Sequence, residues 1–249
     1  MSGSELILSG ITPVDPVAIS QPLISGLVAW AFFGSTWSSD GTNLVPGGPA
    51  IVNVGAGPLA IRSNHVSCRY DGALRLDWQR YADGGDAPIT IIVVGRSTSV
   101  GMIGEAHPIA GDVRLHIRTK EVDVANDNAP TVFSIRLSVQ GPTLAVPTVR
   151  SWRAWALTEP AGGVAGTCRI MDLTADAEAT LSAAGQSSNA GSANYFHIGT
   201  SAATATGTQG SDIAFVGVVS GQQMTRAAIQ SDAMASVRSL LELRGITGV

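Results

Sequence analysis

The chain has 249 residues and a mass of 25.5 kDa, of which 14% are charged, with 29 glycines, 12 prolines and a formal charge of -4. Charge is scarce against a usual share of roughly 25%, and aliphatic residues are plentiful, which excludes a disordered polyelectrolyte and leaves enough length for a buried core without disulfides. Of the 15 basic residues only Lys120 is a lysine, and the arginines are scattered, so no basic stripe exists to track a nucleic-acid backbone.

Residues 1–25 carry Pro13, Pro16 and Pro22 among isolated apolar residues such as Leu6, Ile11 and Val17, a pattern of neither helical nor strand period. This reads as an extended N-terminal arm that packs on a neighbouring surface, its own or a partner's, against the reading of a disordered start. The start lacks the basic and apolar regions of a secretory signal, and no run reaches the ~18 apolar residues of a membrane span. The expectation is therefore a chain made in the cytoplasm, without membrane insertion, that reaches the outside of a cell only on a particle or by lysis.

From Gly26 to the C-terminus, short apolar segments alternate with Gly, Pro, Asn and Ser clusters. Ten strands are predicted, over 27–33, 50–54, 73–78, 89–94, 113–118, 132–139, 152–157, 167–173, 195–198 and 213–219, and their spacing predicts an all-β sandwich. Ile89-Thr-Ile-Ile-Val-Val94 is nearly continuous, as in a strand buried on both faces, whereas Phe133-Ser-Ile-Arg-Leu-Ser-Val139 alternates between an apolar and a wet face. The Ala/Gly/Ser/Thr-rich stretch 175–210 reads as loops around one short strand. Only the end is helical: Ser231 or Asp232 is the expected cap, Met234, Val237, Leu240 and Leu241 follow at helical spacing, and Gly245 sits where a helix-ending glycine belongs.

Taken in order, these segments resemble the LamG-like branch of the concanavalin A-like lectin and glucanase superfamily. Gly26-Leu-Val-Ala-Trp30 is similar to the family's opening strand, Tyr70-Asp-Gly-Ala-Leu-Arg-Leu76 to its "FDG…L.L" strand, and Trp152-Arg-Ala-Trp-Ala156 to its "W.HVAVTYD" strand. Tyr195-Phe-His-Ile-Gly199 resembles "FRIGG", and the segment from Met224 to Ile246 resembles the closing helix. The resemblance implies a concanavalin A-like jelly-roll β-sandwich over 26–249, with the arm before it and one C-terminal helix. The sequence departs from the family's closing acidic pair, keeping Asp212 but placing Ala214 where a Glu is usual.

Glucanases of this superfamily carry alternating carboxylates on one strand, so that nucleophile and acid/base share a face. Glu121-Val-Asp123 begins such a pattern, but Ala125 and Asn126 stand in place of the third carboxylate, and surface acids are the favoured reading. The overlapping run from Asp123 to Pro130 resembles the cadherin "DVNDNAP" linker with one residue inserted. Asp123, Asn126, Asp127 and Asn128 are accordingly the candidate ligands for calcium, against the reading of an Asn/Asp turn. Gly55-Ala-Gly-Pro-Leu-Ala60 is a turn, since Pro58 opens no helix. The four histidines are dispersed and read as strand or loop residues, and Cys68 and Cys168 as buried small hydrophobes, with one disulfide between them left open. Of the five tryptophans, Trp30, Trp152 and Trp155 are expected to pack on the sheets, while Trp37 and Trp78 lie beside polar loops and are the candidates for stacking on a sugar.

These observations favour a non-catalytic structural or binding module on a bacteriophage-like particle: a tail fibre, spike or head decoration. It would dock other virion proteins through residues 1–25, form a homo-oligomer with a trimer favoured, and meet host-cell glycan. A glucanase-type hydrolase acting through Glu121 and Asp123, and a cytosolic lectin, are the alternatives.

Overall fold

A computed structural model describes residues 21–35, 41–54, 59–69, 74–79, 87–97, 106–111, 116–121, 131–135, 143–146, 151–184, 195–198 and 210–249. The strands are β1 (Leu27–Phe32), β2 (Ile51–Asn53), β3 (Ala60–Ile61), β4 (Val66–Arg69), β5 (Leu74–Gln79), β6 (Ile89–Ser97), β7 (Ala106–Gly111) and β8 (His116–Glu121). They continue with β9 (Thr131–Ile135), β10 (Thr143–Val146), β11 (Arg153–Glu159), β12 (Ala165–Asp172), β13 (Ala177–Ala184), β14 (Tyr195–Ile198) and β15 (Gly210–Ser220). The first sheet runs β13-β12-β11-β6-β15-β4-β3, with β1 also paired to β15, and the second runs β10-β9-β8-β7-β14-β5-β2. Every pairing among the described strands is antiparallel.

The core has two layers because the central strands of the first sheet are apolar on both sides. Ile89, Ile91 and Val93 of β6 join Leu74 and Leu76 of β5 and Phe196 and Ile198 of β14 between the sheets. Ile92 and Val94 point the other way, into a second cluster with Met234, Val237 and Leu241 of the C-terminal helix. The continuous apolar run at 89–94 is thus buried on both faces, as its sequence indicates, with Thr90 the one polar member. Thr90 is satisfied where the helical segment begins: its hydroxyl donates to the Gln222 carbonyl at 3.0 Å and accepts from Met224 N–H at 2.9 Å. Trp30 and Phe215 meet edge to face in the outer layer, 4.6 Å between centroids, and Trp155 fills the inner one. Asn43 pins the loop after β1 by accepting from Trp30 N–H and donating to the carbonyls of Val28 and Pro49.

Two expectations are corrected here. The helical segment starts at Arg226, not at Ser231 or Asp232: Thr225 is the cap, its hydroxyl accepting from Ala228 N–H at 3.3 Å. Met224 before the cap and Ile229 after the first turn share the outer cluster, which staples the entry of the chain. Between α1 (Arg226–Ala228) and α2 (Ala235–Glu242) lies a π-helical stretch, Ile229–Met234, whose wider turn keeps Ile229, Ala233, Met234 and Val237 all facing the sheet. The expected glycine ending holds: Gly245 adopts φ +78°, and Ile246 N–H reaches back to the Leu241 carbonyl at 3.0 Å. The second correction is β13, eight residues inside the stretch expected to be loop, paired along its whole length with β12. Further strands at β3, β4, β7 and β10 were not expected from the sequence. No described helix is long and apolar enough to cross a membrane.

Candidate functional site

The helix covers one outer face of the sandwich, and among the described residues two polar groupings stand out, one at the margin of that face and one on the outer face of the second sheet. At the margin, Ser67 of β4, Asp212 of β15 and Arg96 of β6 stand in one cross-strand row, since Asp212 pairs in register with both neighbours. Asp212 is buried and fully engaged: Oδ1 accepts from Ser67 Oγ at 2.6 Å, and Oδ2 accepts from Arg96 Nε and Nη2 at 2.9 and 2.8 Å. His65 Nε2 lies 3.4 Å from the same Oδ2, while its Nδ1 meets Asn64 Oδ1 at 2.7 Å. Asn64 Nδ2 donates to the Arg244 carbonyl, tying this row to the chain just after α2. The Arg96 guanidinium lies 4.7 Å from the centroid of the Trp152 ring, and His65 meets the same ring edge-on at 5.3 Å.

Burial holds the His65 imidazole below its ordinary 6.5; Asp212 opposes this, and Arg96 and Arg62 add to it. Asp212 is a strut that holds adjacent strands and Arg96 together. The same strength of fixation appears at Arg153 and Asp172, a buried pair 3.1 Å apart whose carboxylate also accepts from Thr174 and Ala175 N–H.

The second sheet offers a different surface. Alternation along Leu74-Arg-Leu-Asp-Trp-Gln79 sends Leu74 and Leu76 into the core and Arg75 and Asp77 outward, and no described element covers them. Arg75 Nε and Nη2 donate to Asp77 Oδ1 at 2.9 and 2.6 Å, and its guanidinium lies 4.1 Å from the centroid of the Tyr195 ring. Cation, carboxylate and aromatic ring thus form one continuous, half-exposed patch, with side-chain exposures of 29% for Arg75 and 40% for Asp77.

Trp78, expected at a polar loop, is half-buried and packs against the inter-sheet core. Trp37, Asp123, Asn126, Asp127 and Asn128 lie outside the described residues, as do residues 1–20 of the arm; Glu121 ends β8, paired in register with Thr131. Among the described residues no group of His, Cys, Asp and Glu is placed to hold a metal ion. Arg75, Asp77 and Tyr195 were not singled out by the sequence, although the alternation of β5 already places the first two on a wet face.

No protein-family model matches the chain, and no curated protein matches it. Solved structures do. The binding domain of Paraclostridial Mosquitocidal Protein 1 superposes with a TM-score of 0.55 at 10% identity, covering 86% of this chain and 52% of its own. The binding domain of Botulinum Neurotoxin DC, solved in complex with SialylT, gives 0.54 at 8% identity over 88% of this chain and 52% of its own. Trypanosoma rangeli sialidase gives 0.56 at 10% identity, over 84% of this chain and 33% of its own. The fold is an all-β sandwich of two antiparallel sheets with one C-terminal helix, shared with these neighbours. At these identities the likeness is one of fold, and this chain spans about half of the two binding domains and a third of the sialidase.

Proposed function

We propose that the chain is a non-catalytic carbohydrate-binding module carried on the surface of a bacteriophage-like particle, as part of a tail fibre, spike or head decoration. The observation that carries the glycan reading is the Arg75–Asp77–Tyr195 patch on the uncovered sheet. A sugar ring presents hydroxyls that donate and accept, together with C–H faces that favour aromatic surface, and this patch supplies a donor fork, carboxylate oxygens and a ring side by side. That one structural neighbour was solved with SialylT supports this reading. The non-catalytic reading is supported by two of the buried acids, Asp212 and Asp172, which are each engaged by an arginine and further donors.

Particle display is supported by composition and by the root of the arm. Leu23 is fully exposed, beside a recess of about 470 Å3 lined by residues 21–27 together with Val45 and Pro46. Residues 1–25 dock other virion proteins or neighbouring copies, and the chain forms a homo-oligomer, a trimer first, whose shallow sites add through avidity. The chain is made in the host cytoplasm and acts on the virion surface.

The test has two parts. Native mass of the purified chain, with and without residues 1–25, reads the oligomer; an array of immobilised saccharides reads the ligand. An oligomer lost on removing the arm, stoichiometric presence in purified particles and selective glycan retention are expected. A monomer absent from particles contradicts the display reading, and an array without retention contradicts the glycan reading.

A further inference from the structure

A polar recess lies on the helix side of the first sheet, whereas the Arg75 patch lies on the second sheet. It is a cleft of about 790 Å3 between the β12–β13 hairpin and the start of the helical segment, within the roughly 300–1,000 Å3 usual for small-ligand sites. Its walls carry Arg169 and Glu178 from the hairpin strands, Asp176 from their turn, and Arg226 and Gln230 from the helical segment.

Two residues lining this cleft each carry a buried polar atom that has no hydrogen-bond partner among the described residues: the Nε of Arg169 and the Oε1 of Gln230. Their orientation is fixed by what surrounds them. Gln230 Nε2 donates to the Leu173 carbonyl at 2.9 Å, so the amide cannot turn round and its oxygen stays an acceptor. Arg169 Nε stands 3.9 Å from Glu178 Oε1, too far for a direct bond. On the other wall, Arg226 is held by Asp176, through its carboxylate at 3.3 Å and through its backbone carbonyl. Buried polar atoms left unpaired are costly, and a pair of opposite sense on one cleft defines what would satisfy them.

We propose that this cleft is a binding site for a neutral, hydroxyl-rich ligand, a saccharide of one or two rings. A hydroxyl both accepts and donates, so one sugar hydroxyl takes the Arg169 N–H while another, or the same one, donates to Gln230 Oε1. An ionised carboxylate meets only half of this requirement, because it has no proton to give Gln230. The cleft's charges also cancel, two arginines against Asp176 and Glu178, which removes any driving force for a polyanion. Among its described lining residues there is no aromatic ring, which makes it a hydrogen-bonding site, unlike the patch beside Tyr195. The proposal takes its class of ligand from the glycan-binding reading above, while its position rests on the cleft alone.

The experiment is an amide NMR titration of the full chain with maltose, lactose and N,N′-diacetylchitobiose as neutral probes and 3′-sialyllactose as the acidic one. A neutral probe is expected to move the amides of Arg169, Glu178 and Thr225–Ser231, and more strongly than the acidic one. Arg169→Lys keeps the charge and removes Nε, and Gln230→Met keeps the bulk and removes the acceptor; each is expected to weaken that binding by about tenfold. The thermal midpoint of each variant separates a lost contact from a lost fold. Cleft amides that stay still with all neutral probes, or binding that survives both substitutions, overturn the proposal. Shifts confined to Arg75, Asp77 and Tyr195 overturn it and leave the sheet-face reading standing, whereas shifts in the cleft alone do the reverse.

Discussion

Arg96 and Asp212 are direct register partners on β6 and β15, and two guanidinium nitrogens of the first converge on a single carboxylate oxygen of the second, at 2.9 and 2.8 Å. The other oxygen is taken by Ser67 of β4. One buried carboxylate therefore fastens three adjacent strands just beyond the end of the helix, and it fixes the cation that lies over Trp152.

Removing that carboxylate leaves a buried serine hydroxyl without its acceptor and a cation without its counter-charge. Asp212→Ala is expected to lower unfolding free energy by about 3 kcal/mol, the low end for breaking a buried pair, because Arg96 is a third exposed and can turn to water. Urea denaturation of the two proteins checks it. Asp212→Asn, which keeps one acceptor oxygen, should cost less.

The same cluster makes stability depend on pH. The His65 imidazole sits below its ordinary 6.5 in the folded chain, chiefly through burial, so the unfolded chain binds the proton more readily. Its contribution is complete above 6.5 and is lost as pH falls through the lower, folded value. Arg96 and Arg62 reinforce the effect, and Asp212 partly offsets it. A midpoint of denaturation followed from pH 7.5 to 5 should fall for the wild type and fall less for His65→Gln.

Cys68 and Cys168 are both buried thiols, on β4 and β12 at separate places in the core. Burial pushes the Cys68 thiol up to about 12, with Asp212 adding to the shift. At pH 8 it is therefore almost wholly protonated and unreactive. Native protein is expected to take up no thiol reagent at Cys68, and denatured protein to label at both cysteines without prior reduction.

Gly34 closes β1 against the turn that carries His65. Its φ of +127° suits glycine, and a Cβ there would stand 2.6 Å from the backbone of Asn64 and His65. Gly34→Ala is expected to cost about 2–4 kcal/mol, read as a lower thermal midpoint, with the His65 titration displaced as well.

What the sequence discloses and what it hides follow from the range of the interactions. The run at 89–94 betrays its double burial because each residue reports its own environment, and Gly245 betrays the helix end because only a left-handed turn favours it. β13 is hidden because Ala-Glu-Ala-Thr-Leu-Ser-Ala-Ala has little strand propensity of its own; pairing with β12 imposes the strand. The helix start is hidden by the π-helical stretch, which breaks the 3.6-residue period, although the Thr225 cap and its Met224–Ile229 staple are legible to a reader looking for them. The polar row is the least legible, since Ser67 and Asp212 are 145 residues apart and only the register of β4, β15 and β6 makes them neighbours. Arg75 and Tyr195 meet for the same reason, through the pairing of β5 with β14.

The proposed function puts bound glycan on the Arg75–Asp77–Tyr195 face. The most direct measurement compares the full chain with its Tyr195→Ala and Arg75→Ala variants for affinity towards the saccharide best retained on the array, by titration calorimetry. Each substitution is predicted to weaken binding by about tenfold, the worth of one good aromatic or charged contact, with thermal midpoints close to the wild type. Equal affinity in all three proteins would contradict the account.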